Sequence, residues 1–156
     1  MMLSRKECDL LGGVTALLAF VLCDALFVAR MAGHPGIQRG FGLFFFALVF
    51  PTLYLLVAAV QHRRQATYFL WLVLFLAFLV VEALLDFVLH VPFREVHWQV
   101  ILYVVLFLGG LGGMVRVARR AGRRWGTVAL VGFLSTLALA FAHFSEVGLW
   151  AEATGL

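Results

Sequence analysis

Five apolar runs, each about as long as a bilayer is thick, follow one another through this chain with only short polar breaks between them. A helix rises about 1.5 Å per residue, so about 20 mainly apolar residues cross the roughly 30 Å hydrocarbon core. The runs cover residues 10–28, 41–60, 68–91, 98–117 and 126–144. They predict an all-α fold: a polytopic membrane protein, a bundle of five transmembrane helices forming a single integral domain over residues 1–156. Composition excludes the alternative of a water-soluble globule. Of the residues, 64% are hydrophobic and only 13% charged, against about a quarter charged in soluble domains.

The connections, MAGHPGIQRG, QHRRQ, HVPFREVHW and RVARRAGRR, are short, so successive helices should be neighbours in space. Basic residues are unevenly shared between the two ends. Nine of the twelve Lys and Arg fall at the N-terminus, the second connection and the fourth, and three on the other side. The bias predicts a cytoplasmic N-terminus and an outside C-terminus, as in a multi-pass protein of a bacterial or archaeal cytoplasmic membrane. Trp71, Trp98, Trp125 and Trp150 fall near predicted span ends, where indoles favour the headgroup boundary. The first run follows a basic pair as a signal peptide would, but no small-x-small cleavage pattern interrupts it, and it reads as a retained helix. Cys8 and Cys23, fifteen residues apart on that helix, would be separated by about 22 Å, too far for a disulfide.

Within the third run, VVEALLDFVLH places Glu82, Asp86 and His90 four residues apart. Positions so spaced share one helix face. The predicted topology sets His90 near the outer surface and Glu82 near the midplane, where an ionised carboxylate is costly unless it is paired, protonated or hydrated. Two carboxylates one turn apart also repel, which favours a shared proton or a cation. Asp24 on the first span and His143 on the fifth, with Thr136 and Ala140 on the same face, should lie at similar depth. Glu82, Asp86, His90, Asp24 and His143 are therefore the candidate ligand-binding residues, with Glu146, His97 and Glu95 nearby. Continuing the Glu82 face inward meets Phe78, Phe75, Trp71 and Tyr68, an aromatic wall that favours a dead-ended pocket over a pore.

Three kinds of function fit. The favoured one binds or transports a proton, a cation or a polar lipid headgroup in an outer-half pocket. A membrane-embedded metal enzyme would use Asp24, Asp86, His90 and His143 as ligands, though no HExxH or similar motif is present. Haem ligation by His90 and His143 is geometrically allowed but ill matched to the carboxylates. In the third, the protein is a structural subunit of a larger membrane complex and the polar groups only join helices, each bond contributing about 0.6–2 kcal/mol. No cofactor is expected beyond a bound metal cation. Gly109 and Gly113 in GGLGG suggest close helix packing, and Pro51 should bend the second span. The basic segment Arg116–Arg124 could meet anionic lipid, whereas nucleic acid has no support. Partners would otherwise be the bilayer, another copy of the chain or a membrane complex.

Overall fold

The computed structural model describes residues 3–84 and 97–146 and is all-helical, with no strand among those residues. The helices are α1 (Arg5–Met31), α2 (Pro35–Ala47), α3 (Val49–Gln61), α4 (Ala66–Ala83), α5 (His97–Ala121) and α6 (Arg123–Glu146). With α2 and α3 taken together, five helices are long and apolar enough to cross a membrane. Their outer faces are greasy: Phe50 is 72% exposed, Phe44 67% and Phe141 62%. Soluble monomers rarely present such continuous apolar surface.

Local sequence explains where the helices begin and end. Ser4 and Glu7 form a reciprocal capping box, the Ser4 hydroxyl accepting from the Glu7 N–H and the Glu7 carboxylate from the Ser4 N–H. α1 stops in a Schellman turn: His34 N–H donates to the Ala29 carbonyl and Gly33 N–H to that of Arg30. Gly33 sits at φ +68°, where a side chain would be strained, and Pro35 opens α2 at a position that needs no N–H donor. The same turn ends α3, but there the left-handed position is taken by Arg63 at φ 47°.

Two predicted connections prove to be largely helical. α5 continues to Ala121 and α6 begins at Arg123, so the basic RVARRAGRR segment turns at Gly122 alone, at φ +148°. Arg119 and Arg120 in the last turn of α5 complement the negative end of its dipole. Most of the first connection is likewise absorbed into α2. Pro51 acts as expected, because its ring cannot coexist with a straight backbone at the carbonyl four residues earlier. The helix breaks at Leu48, and Thr52 turns its hydroxyl onto the Leu48 carbonyl at 2.7 Å.

α1 is the hub. Half of its apolar window is buried, against 22% for α6, and it packs on α2, α3, α5 and α6. Small side chains make this possible: Gly12, Ala16, Ala19 and Cys23 are all buried along one stripe. A Cβ added at Gly12 would lie 2.8 Å from Val117 on α5, and one at Gly132 of α6 would lie 2.9 Å from Phe20. Cys8 and Cys23 are buried free thiols, as their spacing implied.

The closest approach of α4 to α5 uses a different glycine pair from the expected Gly109 and Gly113. A Cβ at Gly110 would meet the Leu74 carbonyl and the Phe75 Cα, both at 3.2 Å, and one at Gly113 would meet Trp71 at 2.8 Å. At Gly109 the nearest atom is a flexible Leu74 methyl at 3.6 Å. Backbone cannot yield as a side-chain tip can. Gly110→Ala should therefore lower stability by about 1–3 kcal/mol, as overpacking does. Gly109→Ala should stay within about 1 kcal/mol of wild type, since alanine also favours helix. Thermal unfolding of both variants in detergent measures the difference.

Candidate functional site

Three side-chain ties built on carboxylates join helices among the described residues. The first joins α1 to α4 and α5. Arg30, in the last turn of α1, reaches Glu82 Oε1 at 3.0 Å, and the Tyr103 hydroxyl of α5 donates to Glu82 Oε2 at 2.5 Å. Arg30 and Glu82 are only 11% and 13% exposed, and the guanidinium also lies 5.9 Å from the Phe27 ring centroid. A charge pair so placed is weakly screened, and each member makes the other's burial tolerable.

The second tie joins α1 to α6. Asp24 accepts from the Ser135 hydroxyl at 2.8 Å and from the Thr136 hydroxyl at 2.5 Å. Thr136 also lies 3.0 Å from the Gly132 carbonyl, within the same helix. The third tie lies at the opposite end of α1, where Arg64 contacts Asp9 at 2.6 Å and the Arg5 carbonyl at 3.2 Å. Arg64 also stacks over Tyr68, at 5.4 Å from its ring centroid. These contacts hold the α3–α4 turn in place and account for Arg63 in the left-handed region, where a strained residue survives because its surroundings over-determine it.

Of the five residues expected to form one pocket, Asp86 and His90 lie outside the described residues. Glu82 is bound to Arg30 and Tyr103, and Asp24 to hydroxyls of α6. His143 is buried with its ring 6.0 Å from that of Phe27. Among the described residues no three His, Cys, Asp or Glu side chains come together as a metal-ligand group.

Glu82 lies level with the end of α1, because its partner Arg30 is in the last turn of that helix. Asp9 and Arg30 are twenty-one residues apart, about 31 Å along a helix, close to the thickness of a hydrocarbon core. The two ion pairs therefore bracket the apolar part of the bundle.

Below Glu82 the expected aromatic wall is present. Phe78, one turn earlier on α4, packs edge-on against Phe45 at 5.9 Å and Phe107 at 5.6 Å, and tilted against Tyr103 at 6.0 Å. Phe75 and Phe78 are 0% and 1% exposed, so this layer is solid. Beside it a narrow crevice of about 10 Å³, room for about one water, lies between α2 and α4, lined by Leu26, Gly42, Phe45, Phe46, Leu79 and Ala83, with Glu82 the one charged group on its wall among the described residues.

Arg30, Tyr103, Ser135 and the Asp9–Arg64 pair were not among the expected site residues. Arg30 follows the apolar run by two residues and counts, in sequence, as a loop charge. Tyr103 did carry a signal, being the one residue with a polar tip in an apolar stretch of α5, six residues past His97.

Fold and polar ties together define an all-helical protein with five helices long and apolar enough to span a membrane, joined through side-chain ties at Glu82, Asp24 and Asp9. No known family, characterised protein or solved structure shows a significant match to the chain.

The Asp24 tie generates a quantitative expectation. In a double-mutant cycle, Asp24→Ala and Thr136→Val should couple by roughly 0.6–2 kcal/mol, the range for interhelical hydrogen bonds in membranes. Asp24→Ala with His143→Phe should couple by less than about 0.5 kcal/mol, as non-contacting pairs do. Unfolding midpoints in detergent read both cycles.

Proposed function

We propose that the protein is a multi-pass protein of a cytoplasmic membrane that binds the polar end of a membrane-dissolved molecule beside Arg30, Glu82 and Tyr103. In this reading its N-terminus is cytoplasmic and its C-terminus outside, as the Lys and Arg bias favours. The observation that carries it is the Arg30–Glu82–Tyr103 group, whose Glu82 also lies on the wall of a narrow apolar crevice between α2 and α4. An amphiphile has this same division, a polar head joined to apolar length. A headgroup carrying both hydroxyl and anionic oxygens would exchange into this network, its hydroxyls onto the Glu82 carboxylate and its anionic oxygens onto the Arg30 guanidinium.

Among the occupants suggested by sequence, a cation fits less well than a headgroup. The guanidinium 3.0 Å from Glu82 already balances its charge and would repel a second positive ion. Asp86 and His90 follow Glu82 at one and two turns in sequence and extend the same polar set in this proposal. Asp24 and His143 belong to its edge, supporting the packing of α6 rather than touching the ligand.

A second reading has its own observation. Both carboxylate oxygens of Asp24 are engaged by hydroxyls of α6, which is how a purely structural tie is built. A small subunit of a membrane complex would need only such ties and the exposed apolar faces.

The protein extracted directly into nanodiscs with its own membrane lipids separates the two. Native mass spectrometry should find a retained small-molecule or lipid adduct on the wild type that Glu82→Gln loses. Saturating the stripped wild type with the extracted lipids should raise its Tm by about 5–10 °C. No adduct, together with an unmoved Tm, would sink the binding proposal and leave the structural one. Labelling a cysteine introduced at Arg39 from outside intact cells, but not one introduced at Arg119, checks the orientation.

A further inference from the structure

At the end of the bundle opposite the Arg30–Glu82 pair, a cleft of about 390 Å³ opens between the first turn of α4 and the last turns of α5. Arg116, Arg119 and Arg120 form one wall, with the i, i+3, i+4 spacing that puts all three on one face of α5. Gln65, the N-cap of α4, and Thr67 stand opposite, and among the described residues the lining contains no carboxylate.

Two of the three arginines are held in place by neighbours. Arg120 donates to Gln65 Oε1 at 3.0 Å. The stem of Arg119 packs so tightly on α6 that a Cβ at Gly126 would lie 2.9 Å from its Cγ. Arg123 and Arg124 belong to the same basic segment but do not line the cleft. The fold thus divides five neighbouring arginines into three that converge and two that do not.

We propose that this cleft binds the phosphate of an anionic phospholipid headgroup. Guanidinium groups pair with phosphate oxygens through two parallel hydrogen bonds, and convergent ones without a counter-carboxylate leave that capacity open. Trp71 also lines the cleft, and indole is favoured at headgroup depth. Leu70, one turn from Thr67, is 49% exposed and offers an acyl chain apolar surface next to the phosphate. Free phosphate shares the headgroup chemistry but has no use for that surface. The inference depends on the membrane placement proposed above and not on the Glu82 site.

The test compares the whole protein with Arg119→Gln/Arg120→Gln and Arg123→Gln/Arg124→Gln, two variants that lose the same charge. Native mass spectrometry from detergent reads retention of phosphatidylglycerol against phosphatidylcholine, with Tm as the folding control. Wild type should prefer phosphatidylglycerol. Arg119→Gln/Arg120→Gln should lower its occupancy constant by roughly twenty- to thirtyfold, and Arg123→Gln/Arg124→Gln by less than about threefold. Arg119→Lys/Arg120→Lys, which keeps the charge, should fold as wild type and recover part of the binding.

Equal losses in the two Gln variants would mean diffuse surface charge and overturn the site. So would a wild type indifferent to headgroup. Displacement of the lipid by excess inorganic phosphate would overturn the lipid assignment in favour of a free anion. Recovery of the chain outside the membrane fraction would instead refute the membrane placement itself, a failure distinct from a membrane-bound protein without the cleft's selectivity.

Discussion

The Arg30–Glu82 ion pair is the contact around which the rest of this bundle is arranged. Both groups are nearly buried, at the end of α1, in a protein whose outer faces are apolar. Neither charge is tolerable there alone, so each position dictates the other. Asp9 and Arg64 repeat the arrangement about 31 Å away along the same helix. α1 is thus tied at one end to α4 and at the other to the turn that starts α4. Register between these two elements follows directly, because sliding either by one turn would separate both pairs.

Between the two ties the packing is set by size rather than charge. Glycine and alanine on α1 admit α5, and Gly110 and Gly113 of α5 admit α4, so three helices approach closely around a core filled by Phe75, Phe78 and Phe107. In the membrane placement proposed above, lipid tails are as apolar as these side chains, so close van der Waals contact, and not burial from water, would hold the helices together. The solid aromatic layer under Glu82 also gives the polar end of the bundle its character. Beside that layer lies a narrow crevice between α2 and α4, mostly apolar in its lining, with Glu82 on its wall.

Much of this was legible in the sequence, and the boundary of what was legible has a physical cause. Span number, the break before Pro51, the aromatic wall and the unlinked cysteines each follow from one helix considered alone. Partners on other helices do not. Arg30 reads as a topology charge until the end of α1 is set beside α4, and Asp24 faces Ser135 and Thr136 rather than the His143 two turns further along α6. The glycine motif was located correctly but its contact face was one residue off, because only the approach of α4 distinguishes Gly110 from Gly109. Asp86 and His90 lie outside the described residues, and Glu82 is paired instead with an arginine that sequence alone places in a loop.

The most direct test of this account is a double-mutant cycle on Arg30→Met and Glu82→Gln, read as unfolding free energy in detergent. Each single change removes the opposite charge from a nearly buried group and should cost about 3–5 kcal/mol, while the double variant should recover most of the loss of one single change. Strictly additive losses would contradict it, showing that the two side chains do not stabilise each other and that they do not set the register of α1 against α4.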